Sequence, residues 1–316
     1  MRFRASAPGV LTPGAGRAAL ASAPVASQVP RAIHAQLLTI GPVVAPAETA
    51  LVYAPLQQRE PYTGVEVTRH ERYGADARQL LDVFSPEAHH GSKRPVLVFL
   101  HGGAFTSGER RRGDGPFYDN VMLWAVKSGM VGVNMTYRLA PGHVWPAAQQ
   151  DLAAALTWLR QNMAARGGDP ERIVLVGHSA GAAQVAQYLG HSRFHVAPGG
   201  GVAGAVLLSG LYDTGTAEPN APLQSYFGSD ASVYAQRSAL PGLVASKVPL
   251  LLAYAEMDPP DFQSQGDQAH AVLRAAGHDV TLLKLMGHSH MSEVYAINSA
   301  DRSLSDPLAA FVTSLR

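Results

Sequence analysis

Short apolar runs alternate with stretches of helical periodicity from residue 96 onward, and this feature constrains the fold most. Each run is four to seven residues long, as expected of strands that are buried on both faces of a parallel sheet. In the segment between 147 and 165, Leu152, Leu156 and Leu159 recur on one helical face. The apolar runs lie at 96–100, 130–135, 173–176, 203–208, 248–254 and 280–285. The alternation predicts a doubly wound α/β sheet in one domain.

Two further strands are predicted before these runs, at 65–73 and 79–84. We expect them to be antiparallel and to lie at the sheet edge. The complete prediction is a mostly parallel sheet of eight strands with helices on both faces. The segment 209–247 is too short for a large lid. Helices are predicted at 117–127, 147–165, 180–189, 262–276, 291–298 and 307–315.

The N-terminal segment differs in composition from the rest of the chain. Residues 1–47 contain four arginines and no acidic residue, whereas the remainder has 21 basic and 24 acidic residues. We predict that residues 1–60 form a poorly ordered or cap-forming extension to a domain at 61–316. The basic residues Arg2 and Arg4 and the Ala-Ser-Ala sequence at 21–23 resemble a targeting peptide. Pro13 and Gly14 interrupt its apolar stretch, so we expect a cytoplasmic protein.

The composition excludes several classes of function. The chain of 316 residues has no cysteine, which rules out disulfides, thiolate metal ligands and a cysteine nucleophile. Its formal charge of +1 gives no electrostatic signature of nucleic-acid binding. No apolar run approaches the roughly 18 residues that a membrane-spanning helix needs. We therefore expect no metal, no nucleic-acid partner and no membrane span.

The motif Gly177-His178-Ser179-Ala180-Gly181 lies between a predicted strand and a predicted helix. A serine on such a sharp turn is lifted above the sheet edge, and the turn needs glycine on both sides. The following helix directs its N-terminus at the hydroxyl, where it favours developing negative charge. Because a predicted strand precedes the motif and a predicted helix follows it, the motif indicates a nucleophilic serine more specifically than its five residues would alone.

A second glycine motif, beginning His101-Gly102-Gly103, directly follows the strand predicted at 96–100. Acyl transfer needs backbone N–H groups aimed at the tetrahedral oxyanion, and consecutive glycines let the main chain approach closely. We predict Gly102 and Gly103 as oxyanion donors, together with the N–H group of Ala180.

A serine nucleophile also needs a base and a group that orients the base. The strand at 248–254 leads into a loop with Glu256, Asp258 and Asp261, of which Asp258 is favoured. Glu256 is nearly within the strand, and Asp261 is expected to cap the next helix. The strand at 280–285 leads to His288 and His290, and we favour His290 because it lies on the far side of its loop.

These segments resemble the hormone-sensitive-lipase-like and feruloyl-esterase-like carboxylesterases of the α/β-hydrolase superfamily. The Tyr-Arg-Leu-Ala-Pro stretch at 137–141 and Asp151 carry the resemblance further. It implies the α/β-hydrolase fold for roughly residues 65–316, no cofactor and small ester substrates. The sequence departs from the usual His-Gly-Gly-Gly pattern at Ala104. Pairing into a homodimer is a hypothesis that the resemblance raises.

The sequence therefore predicts a serine carboxylesterase that uses Ser179, Asp258 and His290 through an acyl-enzyme. The alternative is an amide hydrolase of the same fold that acts on N-formylkynurenine, which would use the same residues. A non-catalytic receptor on a hydrolase scaffold is a remote alternative. Phe105, Tyr226 and Phe227 are candidate substrate-binding residues, although aromatic residues beside a sheet also serve as core.

Overall fold

The computed structural model describes residues 23–88 and 91–315, and nine strands in these ranges form one mixed sheet. The sheet order is β1-β9-β8-β7-β6-β4-β5-β3-β2. Strand β3 is antiparallel to both β2 and β5, and all other neighbours are parallel. The strands are β1 Ala23–Val25, β2 Val65–Arg72, β3 Leu80–Pro86, β4 Arg94–Leu100, β5 Val131–Met135, β6 Gly168–His178, β7 Gly204–Leu208, β8 Leu250–Met257 and β9 Val280–Ser289.

The predicted fold class is confirmed, including the antiparallel pair at one edge. The expected number of eight strands is wrong, because β1 adds a ninth strand at the opposite edge. This strand has three residues, too few to show any period, and it joins β9 through main-chain pairing.

Alternate residues of the central strands serve two separate cores. In β4, Val96 and Val98 belong to the core on one face, whereas Leu97 and Phe99 belong to the core on the other. This alternation explains why the strands read as continuous apolar runs, since neither face is exposed to water. Both faces of the sheet are therefore covered by helices.

The helices divide between the two faces. Helices α4 and α5 bury Leu152 and Val185 in one core, and helices α3 and α10 bury Val121 and Leu308 in the other. The helices are α1 Arg31–Ile40, α2 Pro46–Tyr53, α3 Asp119–Lys127, α4 Ala147–Asn162, α5 Ala180–Gly190, α6 Ala221–Phe227, α7 Leu240–Ala245, α8 Pro260–Ala275, α9 Ser292–Tyr295 and α10 Ser305–Ser314. No helix in the described ranges is long and apolar enough to cross a bilayer.

The N-terminal segment packs against the second of these faces from residue 23 onward. Leu37 of α1 and Tyr53 of α2 are fully buried in the core of that face. Just after α2, the amide of Gln57 donates hydrogen bonds of 2.8 and 2.9 Å to the carbonyls of Tyr295 and Ile297. The possible targeting peptide falls largely on residues 1–22, which lie outside the described residues.

Candidate active site

Ser179 lies on the tight turn between β6 and α5. Its φ of 56° and ψ of −125° are strained values for a residue with a side chain. A Cβ atom at Gly177 would lie 2.4 Å from the carbonyl oxygen of Gly181, and one at Gly181 would lie 2.2 Å from that of Leu100. The turn therefore requires both glycines of the motif, as the sequence predicts.

The loop after β4 brings Gly102 against Ser179. A Cβ atom at Gly102 would lie 2.9 Å from the Cβ atom of Ser179 and 3.4 Å from its Oγ. No acceptor for the N–H group of Gly102 or Gly103 is found among the described residues. Because Ala180 begins α5, its N–H group lies at the positive end of that helix. These three residues therefore lie where oxyanion donors are expected.

His101 holds this loop in shape. The ring is fully buried, its Nδ1 donates to the carbonyl of Gly102 at 2.7 Å, and it stacks on the ring of Tyr137 with centroids 4.6 Å apart. The Tyr137 hydroxyl donates to the carbonyl of His101 at 2.7 Å. Burial lowers the pKa of His101 to about 3, so its ring is neutral at physiological pH. His101 therefore stabilises the conformation of the loop that contains Gly102 and Gly103.

Ala104 occupies the position of the third glycine and adopts the backbone conformation that glycine favours. Its φ is 49°, and that of Phe105 is 65°. Although Ala104 departs from the His-Gly-Gly-Gly pattern, the loop therefore keeps a left-handed backbone conformation at this position.

Asp258 and His290 meet at the carboxyl ends of β8 and β9. Sheet pairing aligns Met257 with Ser289, and each is the residue directly before one member of the pair. The Nδ1 atom of His290 lies 2.6 Å from Oδ1 of Asp258, and both side chains are buried. Asp258 also accepts hydrogen bonds through Oδ2 from the Ala255 N–H group at 2.7 Å and the Ser209 hydroxyl at 2.6 Å. Its carboxylate is thus fixed in orientation toward the imidazole.

The other acids and the other histidine of these loops have different partners. Glu256 accepts a 2.7 Å hydrogen bond from the N–H group of Gly287. Asp261 is the second residue of α8 and accepts from the Glu218 N–H group at 3.4 Å; the expectation that it caps this helix is wrong, because Pro259 is at the cap position. His288 is buried, with Nδ1 3.1 Å from the Ser292 hydroxyl and Nε2 3.2 Å from Asp301. The structure thus pairs the acid and the base that the sequence favours.

A cavity of about 990 Å³ opens beside Ser179. Ser179, His290, Gly102, Gly103 and Ala180 all contribute to its wall. The wall also contains apolar side chains, namely Val44, Pro46, Phe105, Leu139, Leu211, Pro222, Phe262 and Met291. Four charged residues also line it: Arg78, Glu109, Arg111 and Arg112.

The three aromatic candidates for substrate binding occupy different places. Phe105 lines the cavity, whereas Tyr226 and Phe227 do not. Both are fully buried behind Phe105; the Tyr226 ring stacks on it with centroids 5.1 Å apart, and the Phe227 ring meets it edge-on at 5.5 Å. Tyr226 and Phe227 therefore support the cavity wall from behind, and the direct contact with substrate that was expected of them is not found.

Sequence reasoning missed three polar residues beside the Asp258–His290 pair. They are Ser209, which follows β7, His178 at the end of β6, and Glu293 in α9. Ser209 could have been found from its place at the end of a strand, next to the other strand-end residues. Glu293 gives no such signal, because it lies within a short helix whose other residues are mostly apolar.

The chain matches two family models. That of the prolyl oligopeptidase family covers residues 146–313, and that of the BD-FAE family covers residues 81–196. The first spans more than half of the chain, and the second spans the segment with the oxyanion loop and Ser179. The two matches overlap on residues 146–196, which include α4, β6 and α5.

Several similar proteins are esterases. The chain is 27% identical to Esterase LipQ of Mycobacterium tuberculosis over 258 residues, which is 76% of this chain and 60% of the relative. It is 38% identical to phenmedipham hydrolase of Pseudarthrobacter oxydans over 120 residues, which is 35% of this chain and 23% of the relative. The chain therefore spans less than two thirds of the length of these curated relatives.

Solved structures support the same fold. An esterase from Pseudomonas putida has a TM-score of 0.66 at 21% identity, with 90% of this chain and 96% of that chain covered. These findings confirm the resemblance to α/β-hydrolase carboxylesterases that the motifs predict. The chain belongs to the prolyl oligopeptidase family, within the α/β-hydrolase superfamily.

Proposed function

We propose that this protein is a serine carboxylesterase that hydrolyses small acyl or aryl esters through an acyl-enzyme. The two nitrogen atoms of His290 carry this proposal. Nδ1 is bound by Asp258 at 2.6 Å, whereas Nε2 has no hydrogen-bond partner among the described residues, and His290 lines the same cavity as Ser179. This is the arrangement that a general base for a serine hydroxyl needs. Relatives that are named esterases support the same reaction class.

In the first half of the reaction, Ser179 Oγ attacks the ester carbonyl while His290 Nε2 takes the hydroxyl proton. Asp258 keeps the remaining proton on Nδ1 and stabilises the imidazolium that forms. The C–O bond to the alcohol then breaks, and His290 returns its proton to the departing oxygen. An ester of Ser179 remains.

The developing oxyanion is stabilised by the N–H groups of Gly102, Gly103 and Ala180. Because the loop and the helix start are already fixed, these donors need no reorganisation when charge develops. The neutral ring of His101 maintains the loop through its 2.7 Å bond to Gly102 without adding charge.

In the second half, His290 activates a water molecule that attacks the acyl-enzyme. The tetrahedral intermediate collapses, Ser179 regains its proton from His290, and the carboxylic acid leaves. The same residues act in reverse order, so no additional acid or base is required.

The cavity supports esters with an apolar acyl or aryl group. Phe105, Leu139, Leu211 and Phe262 provide apolar wall beside the reacting atoms, and a volume of about 990 Å³ accommodates a ligand of this class. Val44 and Pro46 also line the cavity. The proposed substrate site therefore includes these two residues of the N-terminal segment.

The proposal is tested by comparing wild-type protein with the Ser179→Ala variant on p-nitrophenyl acetate and butyrate. We expect kcat to fall by on the order of 10⁴ or more in the variant. A fluorophosphonate probe should label wild-type Ser179 and leave the variant unlabelled. Wild-type turnover by the variant would overturn the assignment. A kcat/KM for N-formylkynurenine above that for every short ester would instead assign the formamide reaction.

A further inference from the structure

A second buried carboxyl group lies beside Asp258. Glu293 is fully buried in α9, and its Oε1 lies 2.7 Å from the hydroxyl oxygen of Ser209. The same hydroxyl oxygen lies 2.6 Å from Oδ2 of Asp258. Ser209 thus bridges the two carboxyl groups, and Asp258 continues the chain of hydrogen bonds to His290.

The number of protons in this bridge restricts its charge state. A serine hydroxyl has one proton and can donate it to one acceptor only. If both carboxyl groups were ionised, one of the two short contacts would join oxygen atoms with no proton between them. One carboxyl group must therefore be protonated and must donate to Ser209.

The surroundings of the two carboxyl groups identify the protonated one. Both oxygen atoms of Asp258 face N–H donors, since Oδ1 faces His290 Nδ1 and Oδ2 accepts from the Ala255 N–H group. Glu293 has no hydrogen-bond partner at Oε2 among the described residues. Burial first, and the nearby charge of Asp258 second, raise the pKa of Glu293 well above its usual value. The proton therefore belongs to Glu293.

Within 23–88 and 91–315, no lysine or arginine forms an ion pair with Glu293. His178 is the nearest base, with Nε2 3.4 Å from Oε1, but that nitrogen donates to the carbonyl of His290 at 2.8 Å. Burial keeps the pKa of His178 well below its usual value, so the ring is neutral. Among the described residues, the titratable groups that face Glu293 are Asp258, His178 and Tyr212, and none of them is a lysine or an arginine.

We propose that Glu293 is a positioning residue of the esterase reaction, a neutral carboxylic acid that donates to Ser209 so that Ser209 can donate to Asp258. This inference rests on the proposed function. The relay holds Oδ2 of Asp258 and leaves Oδ1 for His290, and it limits the charge facing the imidazole to one carboxylate. The backbone of Ser209 has a φ of 47°, a value that residues other than glycine seldom adopt.

The charge state is tested by the pH profile of kcat/KM for wild type and Glu293→Gln. A glutamine amide can donate to Ser209 as the carboxylic acid does, so we expect the acid limb to stay at the wild-type pH. An ionised Glu293 would stabilise the His290 imidazolium, and its replacement would move the acid limb to lower pH by about one unit or more. Such a shift would overturn the inference. Glu256→Gln is the matched control, since it removes a carboxylate near Asp258 that contacts Gly287 instead.

The positioning role is tested by Ser209→Ala and Glu293→Ala. Each should lower kcat by about tenfold to a hundredfold with KM unchanged, because a buried hydrogen-bonding group loses its partner. Glu293→Gln should restore most of the loss seen in Glu293→Ala. Wild-type kcat in both alanine variants, with Ser179→Ala inactive, would overturn this inference alone. Activity in Ser179→Ala would overturn the proposed function as well.

An infrared difference spectrum gives a readout that does not depend on activity or on the alanine variants. Wild type minus Glu293→Gln at neutral pH should contain the C=O stretch of a protonated carboxyl group. A spectrum that shows only the loss of an ionised carboxylate would overturn the charge assignment.

Discussion

Replacing Gly102 by alanine tests the close approach of the oxyanion loop to the nucleophile. The added Cβ atom would lie 2.9 Å from Cβ of Ser179, 3.2 Å from the carbonyl oxygen of His178 and 3.4 Å from Oγ of Ser179. Ordinary contacts between such atoms are about 3.5–4.0 Å, so the loop and Ser179 must move apart by several tenths of an ångström to about 1 Å. Misplacement on this scale can cost about a hundredfold in rate, and loss of one oxyanion donor costs about 10²–10³ in kcat.

We therefore expect kcat for p-nitrophenyl butyrate to fall by about 10²–10³, or roughly 3–4 kcal/mol of transition-state stabilisation. Stability should change much less, because Gly102 does not lie in the left-handed region and alanine fits its backbone. Gly142→Ala is the matched control, since its added Cβ atom would meet only the Leu139 carbonyl oxygen at 3.8 Å. Steady-state kinetics and thermal unfolding of both variants separate activity from folding. The reasoning is refuted if Gly102→Ala keeps kcat within about threefold of wild type, since the expected loss is at least a hundredfold.

Four further variants test other parts of the site and its support. Asp258→Asn should lower kcat by on the order of 10⁴ in steady-state assays without changing the melting temperature greatly, because the imidazole loses the partner that fixes its tautomer. Tyr137→Phe keeps the ring stack but leaves the buried His101 carbonyl without its 2.7 Å hydrogen bond, so urea unfolding should show a loss of about 1–3 kcal/mol. Phe227→Ala should lower stability by about 3–5 kcal/mol in the same assay, because it leaves a void behind Phe105. Folding lowers the pKa of His101 from its ordinary value of 6.5 to about 3. Between pH 6.5 and pH 3 the His101 ring is therefore protonated in the unfolded chain and neutral in the folded protein, so the free energy of unfolding decreases as the pH falls through this range. Urea unfolding across that range should show wild type losing about 1 kcal/mol more per pH unit than His101→Asn.

The central part of the sheet could be predicted because its local signals agree with its burial. The run at 96–100 became β4, Arg94–Leu100, and the run at 280–285 became β9, Val280–Ser289. Both strands extend beyond the apolar run at one end, where polar or small residues still take part in main-chain pairing. Apolar content therefore located these strands well and their ends less well.

The N-terminal elements gave no comparable signal. Strand β1 has only three residues, and in a segment rich in alanine α1 follows Pro30 and α2 begins at Pro46. Most of the residues of α1 and α2 are at least partly exposed, so no full apolar face marks them as helices. Their positions depend on contacts with residues far along the chain, such as the bonds of Gln57 to Tyr295 and Ile297. A reading of local periodicity does not detect such contacts.

Within the candidate site, too, residues in local motifs could be predicted from the sequence, whereas residues joined by long-range contacts could not. Ser179 and Gly102 lie in motifs whose spacing reflects a local backbone requirement, and such a requirement can be read from the amino-acid sequence. The relay from Glu293 to Asp258 joins three elements that are separated by tens of residues in sequence, and each side chain is ordinary in its own segment.

Sheet register explains why the acid and the base could still be selected. His178 of β6 pairs with Leu208 of β7, and Leu208 pairs with Ala253 of β8. On the next pair of strands, regular pairing runs as far as Ala255 with Leu285, and beyond a register shift Met257 is aligned with Ser289. In a parallel sheet, residues that directly follow paired positions emerge at the same edge, so order along the chain becomes proximity in space. A slip of one residue between β8 and β9 would turn every side chain of the slipped strand to the opposite face and separate His290 from Asp258. The two buried cores fix the regular register as far as Ala255 and Leu285 through the alternating apolar residues, and the irregular pairing beyond these residues brings the proposed base to its acid.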